Sequence, residues 1–119
     1  MADDRKHVLG KYGESVAADF LKRQGYEIVE RNWHCRAGEI DLIVRDKDSW
    51  VFVEVKTRSS ATALSGLEAV DELKLQKLRK AVSQWCVARQ VITTKLRLDV
   101  ISVFVHAGTV KFEHLKQVF

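Results

Sequence analysis

The sequence is short of the residues that build cross-linked, zinc-bound or membrane proteins. It has 119 residues, no proline and two cysteines, Cys35 and Cys86. These lie far apart and form no Cys-x-x-Cys pair, which excludes a disulfide framework and a zinc ribbon. The four histidines also lack metal-ligand spacing. No apolar run approaches the roughly twenty residues that a membrane-spanning helix needs, and none follows the basic residues near the N-terminus. We therefore expect a cytoplasmic protein with no membrane partner.

The apolar content is sufficient for one hydrophobic core. Hydrophobic residues make up 46% of the chain and charged residues 30%, which is a globular rather than a disordered composition. The sequence contains no internal repeat, low-complexity tract or linker. At this length we expect a single domain that spans residues 1–119.

Positive charge is concentrated in the second half of the chain. The formal net charge is +4, with 20 Lys and Arg against 16 Asp and Glu. The first 50 residues are slightly acidic, whereas the stretch between Leu73 and Leu98 contains seven basic residues and no acidic one. Such an asymmetry fits a partner that carries phosphates, although a solvated basic helix would show the same pattern.

Hydrophobic periodicity predicts an α/β domain with the element order α-β-β-β-α-β-β around a mixed central sheet. Helices are predicted at 8–24 and from Ser65 or Asp71 to Arg89, and strands at 27–33, 39–45, 50–58, 97–105 and 110–114. In the second strand, alternation predicts that Ile40 shares a face with Leu42 and Val44.

Two carboxylates are predicted to face each other across the hairpin of the second and third strands. If residues 46–49 form the loop, Asp41 lies opposite Glu54 and Glu39 lies opposite Lys56. Opposed carboxylates repel each other, so they need compensating positive charge. A carboxylate pair with an adjacent lysine suits metal-assisted phosphodiester hydrolysis, because Mg²⁺ is typically held by one or two carboxylates. A surface network of salt bridges is the alternative that these residues alone leave open.

Several segments together resemble a known family. They are GKYGE (10–14), RNW (31–33), GEIDLI (38–43), VFVEVKTR (51–58), EAVD (68–71) and DVI (99–101). The chain resembles the YraN-like family, an uncharacterised bacterial group related to archaeal Holliday junction resolvases within the restriction-endonuclease-like superfamily. The resemblance extends from Gly10 to the C-terminus. It implies a restriction-endonuclease-like core with a mixed sheet of about five strands flanked by helices.

The same resemblance implies an endonuclease site that uses Mg²⁺ or Mn²⁺. Position by position, Asp41, Glu54 and Glu14 become catalytic acids that hold the metal, and Lys56 becomes the catalytic lysine. Glu39 is a candidate outer partner for Lys56. From the helix pattern alone, Glu14 has an alternative as a surface carboxylate paired with a lysine three residues earlier.

The expected partner is nucleic acid, with DNA favoured over RNA. Arg58, Lys74, Lys77 and Lys80 are the candidate phosphate contacts. Cleavage of a junction would need two sites, so a homodimer is a further hypothesis. Two other functions remain open, namely a non-catalytic nucleic-acid-binding module of the same fold and a protein-interaction domain. The three tryptophans are interpreted as core residues rather than base-stacking platforms.

Overall fold

The computed structural model describes residues 5–59 and 72–118 as two helices and five strands. The elements are α1 (Arg5–Arg23), β1 (Glu27–Cys35), β2 (Gly38–Asp46), β3 (Ser49–Arg58), α2 (Glu72–Arg89), β4 (Leu96–His106) and β5 (Thr109–Leu115). The predicted element order is confirmed. The predicted starts of the second helix, at Ser65 or Asp71, lie outside the described residues.

The five strands form one mixed sheet in the order β1-β2-β3-β4-β5. All neighbouring pairs are antiparallel except β3 and β4, which run parallel. Parallel neighbours require a crossover connection, and α2 lies in the segment that joins them. This arrangement confirms the predicted mixed sheet flanked by helices.

One hydrophobic cluster lies between the sheet and each helix. Ala17, Ala18 and Leu21 of α1 pack against valines and other apolar residues from β2, β3 and β4. Leu78 and Trp85 of α2 belong to the second cluster, together with apolar residues from the same three strands. Alternate side chains of a strand point to opposite faces, so the two clusters account for the nearly continuous apolar sequence of the central strands.

The β2–β3 hairpin is tighter than predicted. Asp46 pairs with Ser49, so the loop consists of two residues rather than the four at 46–49. Lys47 in that loop has a φ of 57°, a left-handed conformation typical of two-residue hairpin turns. The predicted register is nevertheless confirmed from Asp46 back to Leu42, because shortening the loop symmetrically changes no pairing.

Ile40 departs from the predicted alternation. Leu42 and Val44 pack in the cluster of α1, but Ile40 packs in the cluster of α2. The β2–β3 ladder ends at the pair of Leu42 and Val53. Beyond that pair β2 stays paired with β1, through Ile40 and Trp33, but no longer pairs with β3, and Ile40 lies on the other face.

Candidate active site at the parting of β2 and β3

The candidate site lies where β2 and β3 separate. Asp41 immediately precedes Leu42, the residue of β2 at which the pairing with β3 ends. Its Oδ2 accepts a hydrogen bond of 2.8 Å from the Val55 backbone amide. A side-chain oxygen thus satisfies an amide that a continued ladder would have bonded to a β2 carbonyl. The structure therefore brings Asp41 against β3 beside Glu54, although the direct Asp41–Glu54 and Glu39–Lys56 pairing predicted from the register lies beyond the end of the ladder.

Asp41 is a buried carboxyl group in a negative environment. Asp41 is only 6% exposed. Burial, the largest cause, and the negative charge of Glu54 together with smaller contributions from Glu14 and Glu39 raise its pKa to about 8. The Val55 amide opposes this shift because it donates to the charged form. Without added positive charge, the carboxyl group of Asp41 holds a proton near neutral pH.

Glu54 differs from Asp41 because two lysines contact it. Its Oε1 lies 3.2 Å from Nζ of Lys56, two residues along β3, and 2.7 Å from Nζ of Lys74, in the first turn of α2. Glu54 itself is 5% exposed. A buried carboxylate needs such partners, since an unpaired charge in this environment is costly. Lys74, predicted from the sequence as a candidate phosphate contact, thus contacts a buried carboxylate of the site.

The two lysines respond to each other as well as to Glu54. Burial and the neighbouring Lys74 lower the pKa of Lys56. The pKa of Lys74 is raised, because its hydrogen bonds with Glu54 and Lys56 outweigh its desolvation. Lys56 is therefore the lysine of the pair that gives up its proton more readily, which is the property needed by a residue that orients or deprotonates water.

Glu14 is positioned on α1 by a close approach between the helix and β3. A Cβ atom added at the preceding residue, Gly13, would lie 1.8 Å from Oγ1 of Thr57. Glycine is therefore needed for α1 to approach the sheet at this point. Glu14 lines a cleft together with Lys56 and Arg58, and no ion pair joins it to Lys11 in the described part of the chain.

The remaining predicted residues lie around this centre in different ways. Glu39 is exposed and forms an ion pair of 3.3 Å with His34 rather than with Lys56. Lys74 and Lys77 line a cleft of about 330 Å³ that also includes Glu54 and Glu39. Lys80 is exposed on α2 and lies outside that lining.

Within residues 5–59 and 72–118, no group of three or more His, Cys, Asp or Glu side chains is arranged to hold a metal ion. Asp41 and Glu54 are the two buried carboxylates at the site, and Glu14 affects Asp41 through its charge only. A hard cation here would take two protein carboxylates and fill its other positions with water or ligand oxygens, which is a common arrangement for Mg²⁺.

Two buried polar features were not predicted from the sequence. Asp99 is fully buried and is bonded by Arg97, by His114 at 2.8 Å and by the Gln117 amide at 2.9 Å. The sequence signal was an acidic residue within the apolar strand LDVIS. Ser102, the register neighbour of Lys56, has a buried hydroxyl with no hydrogen-bond partner among the described residues.

The tryptophans are core residues, as interpreted from the sequence. Trp85 is 1% exposed, and Trp33 and Trp50 pack against the same cluster. Trp85 also donates from Nε1 to Glu30 at 2.9 Å, while Arg89 forms an ion pair with that glutamate. These contacts fix the C-terminal end of α2 to β1.

In the described residues, no helix is long and apolar enough to span a bilayer.

Comparison with known proteins identifies the family. A family model described as "Uncharacterised protein family UPF0102" matches residues 13–103. The chain belongs to the UPF0102 family. A UPF0102 protein of Beutenbergia cavernae is 45% identical over 114 residues, which cover 95% of this chain and 97% of that protein. A UPF0102 protein of Paenarthrobacter aurescens is 46% identical over 115 residues, covering 95% and 94% respectively.

Among solved structures, this UPF0102 member is similar to SfsA of Pyrococcus furiosus, whose structure was determined in complex with Ca²⁺. The TM-score is 0.41 and the identity 11%, over 93% of this chain and 63% of that one.

Proposed function

We propose that this UPF0102 member is an endonuclease that hydrolyses phosphodiester bonds in nucleic acid, preferentially DNA, with Mg²⁺ or Mn²⁺. The observation that carries the proposal is the placement of two buried carboxyl groups, Asp41 and Glu54, where β2 and β3 separate, with Nζ of Lys56 3.2 Å from Glu54. A junction-resolvase-like preference for branched substrates, and a homodimer that presents two such sites, extend this proposal.

The residues fit a hard divalent cation. Asp41 and Glu54 would hold it, and Glu14 would support them. A divalent cation would also supply the positive charge that Asp41 needs to lose its proton and bind as a carboxylate. When bound, the metal polarises a phosphoryl oxygen and lowers the pKa of a coordinated water.

Lys56 supplies the chain's own chemistry. Its pKa is lowered by burial and by Lys74, so its amine can accept a hydrogen bond from the attacking water or take up a proton. In its charged form the same group offsets the negative charge that develops on the phosphate. Lys74 and Lys77 line the adjoining cleft, and Arg58 lies with Lys56 and Glu14 in a neighbouring one, where each can contact the backbone phosphates.

A non-catalytic nucleic-acid-binding module is the second candidate. It is favoured by the two ammonium groups that already contact Glu54 and by the lack of a three-ligand metal cluster in the described residues. In that case the carboxylates would serve only as partners of lysines that hold phosphate.

Cleavage assays separate the two candidates. Branched, flapped and linear DNA and RNA substrates are incubated with Mg²⁺ or Mn²⁺ and the wild type, Asp41→Asn or Lys56→Met. We expect each substitution to reduce the cleavage rate at least about 100-fold. Lys95→Met is the matched control, because this exposed lysine pairs with exposed Asp48 at the opposite end of the β2–β3 hairpin. Its rate should match the wild type.

The outcomes are distinct. Salt-sensitive binding without cleavage by the wild type would favour the binding module. Cleavage that persists in both site variants would indicate a contaminating nuclease and refute the assignment. Failure to bind any nucleic acid at low salt would leave a protein-interaction domain.

The basic cleft gives a separate prediction. Removing one phosphate contact with Lys77→Met should weaken DNA binding and reduce the slope of log affinity against log salt concentration by about 1. Equilibrium binding titrations between 50 and 200 mM salt, roughly the range in which such contacts dominate, measure this slope. An unchanged slope would remove Lys77 from the interface.

A further inference from the structure

The strongest unexplained feature of the site is Lys74. It comes from α2 rather than from the hairpin, and its Nζ lies 2.7 Å from Glu54, closer than Nζ of Lys56. Lys74 thus brings positive charge to Glu54, one of the two carboxyl groups that would hold a metal.

We propose that Lys74 is a resident cation that occupies the metal position and is exchanged for the divalent ion when the nuclease is loaded. This inference rests on the proposed function. It adds which group neutralises Glu54 before the metal binds and which group the metal displaces. A divalent cation held by Glu54 would be repelled by an ammonium group that lies 2.7 Å from Oε1 of the same residue. Metal binding is therefore favoured when Lys74, the more exposed of the two lysines, leaves that oxygen.

The position of Lys74 permits this movement. Its side chain is 39% exposed, compared with 18% for Lys56, and it borders the cleft of about 330 Å³ shared with Lys77. A lysine side chain with an open cleft beside it can swing by rotation about its own bonds while its helix stays in place. Lys56 is more enclosed and stays beside Glu54. The two lysines therefore have different roles, one exchanging and the other remaining.

The exchange also couples metal binding to substrate binding. Once released from Glu54, the Lys74 ammonium lies in the cleft next to Lys77, where a phosphate is its natural new partner. Metal and phosphate would each take one member of the same ion pair, so each makes binding of the other more favourable.

Direct metal-binding measurements test the proposal without relying on activity. The affinity for Mn²⁺ is measured by isothermal titration calorimetry for the wild type, Lys74→Met, Lys77→Met and Asp41→Asn. Lys74→Met removes the competing charge but keeps the length of the side chain, and we expect it to bind Mn²⁺ at least about tenfold more tightly. Lys77→Met removes the same charge from the same cleft, where it has no ion pair with Glu54, and should change the affinity less than about twofold. Asp41→Asn should bind weakly.

A second readout follows the side chain itself. Lys74 is labelled with an amine-reactive reagent in the folded wild type, with and without Mn²⁺, and quantified by mass spectrometry. Labelling of Lys74 should rise severalfold when Mn²⁺ is added, whereas labelling of Lys77 should stay constant. This measurement needs no substitution and so does not depend on how well a variant folds.

The failures are distinguishable. If the wild type binds Mn²⁺ and Lys74→Met binds it equally well or less well, the exchange is refuted while the nuclease proposal stands. An equal gain in Lys74→Met and Lys77→Met also refutes it, because general electrostatics would then explain both. If none of the four proteins binds Mn²⁺, the metal site is absent and both proposals fall.

Discussion

Replacing Asp41 by asparagine should remove the effect of pH on stability that this carboxyl group causes. Asparagine has nearly the same shape, and its side-chain oxygen can still accept the hydrogen bond from the Val55 amide. It cannot ionise. In the folded wild type, burial and the charges around it, that of Glu54 foremost, raise the pKa of Asp41 to about 8, whereas an aspartate in an unfolded chain has a pKa of about 3.9.

Proton binding determines whether the free energy of unfolding rises or falls with pH. Between these two pKa values the folded state holds a proton that the unfolded state has lost, so the free energy of unfolding falls as pH rises. The contribution of this proton is fully present below about pH 4 and is lost as pH rises through about 8. One proton corresponds to about 1.4 kcal/mol per pH unit, or about 2.7 kcal/mol between pH 5 and pH 7. Relative to the wild type, Asp41→Asn should therefore gain about 2.7 kcal/mol over that interval.

Urea denaturation of both proteins at pH 5, 6 and 7, with a chelator present, measures this difference. Asp48→Asn is the matched control, since it makes the same substitution at a carboxyl group that is 80% exposed in the turn of the same hairpin. Addition of Mg²⁺ at pH 8 should then stabilise the wild type and not Asp41→Asn. Parallel stability curves for the wild type and Asp41→Asn would refute the account of Asp41 as a buried, protonated acid.

Two further predictions concern how the framework holds the site. Gly13→Ala should destabilise the protein by about 1–3 kcal/mol, because the new Cβ would collide with Thr57, whereas Gly10→Ala in the same helix meets no atom within 4 Å and should stabilise it by about 0.5–1 kcal/mol. Asp99→Asn should cost about 1–3 kcal/mol, since the guanidinium of Arg97 loses its fully buried partner and keeps the half-buried Asp46 as counter-ion. Urea denaturation of each variant checks both, and equal stabilities of the two glycine variants, or a loss below about 1 kcal/mol for Asp99→Asn, would contradict them.

Local sequence pattern was sufficient to predict the elements and the hairpin register. Residues 46–49 mark a turn, and a symmetric turn fixes which residues face each other whatever its length. The pattern predicted direct pairing of Asp41 with Glu54, whereas in the structure Asp41 lies against β3 through the hydrogen bond that it accepts from the Val55 amide. The pattern could not show at which residue the ladder between β2 and β3 ends, because that depends on how far the two strands stay adjacent in the folded sheet. Alternation predicted the wrong face for Ile40 for this reason.

Contacts between distant elements were beyond local pattern. The bond from Asp41 to the Val55 amide exists only because the ladder stops, and the network around Asp99 joins residues up to 18 positions apart through the C-terminal segment. The strand LDVIS shows that an acid is buried but does not identify its partners. Burial of a charge predicts that partners exist, while the topology of the sheet decides which residues they are.

The position of Lys74 at the site depends on contacts made at the other end of its helix. Trp85 and Arg89 both bind Glu30 of β1, and this fixes the C-terminal end of α2 against the sheet. Trp85 lies eleven positions after Lys74, which at 1.5 Å per residue is about 16 Å along the helix. Leu78 and Ala81 pack on the sheet between these two ends, so Glu30 and this packing together set the position of Lys74 at Glu54. The charge balance around the buried carboxyl groups is therefore a property of how α2 docks on the sheet as well as of the hairpin that carries them.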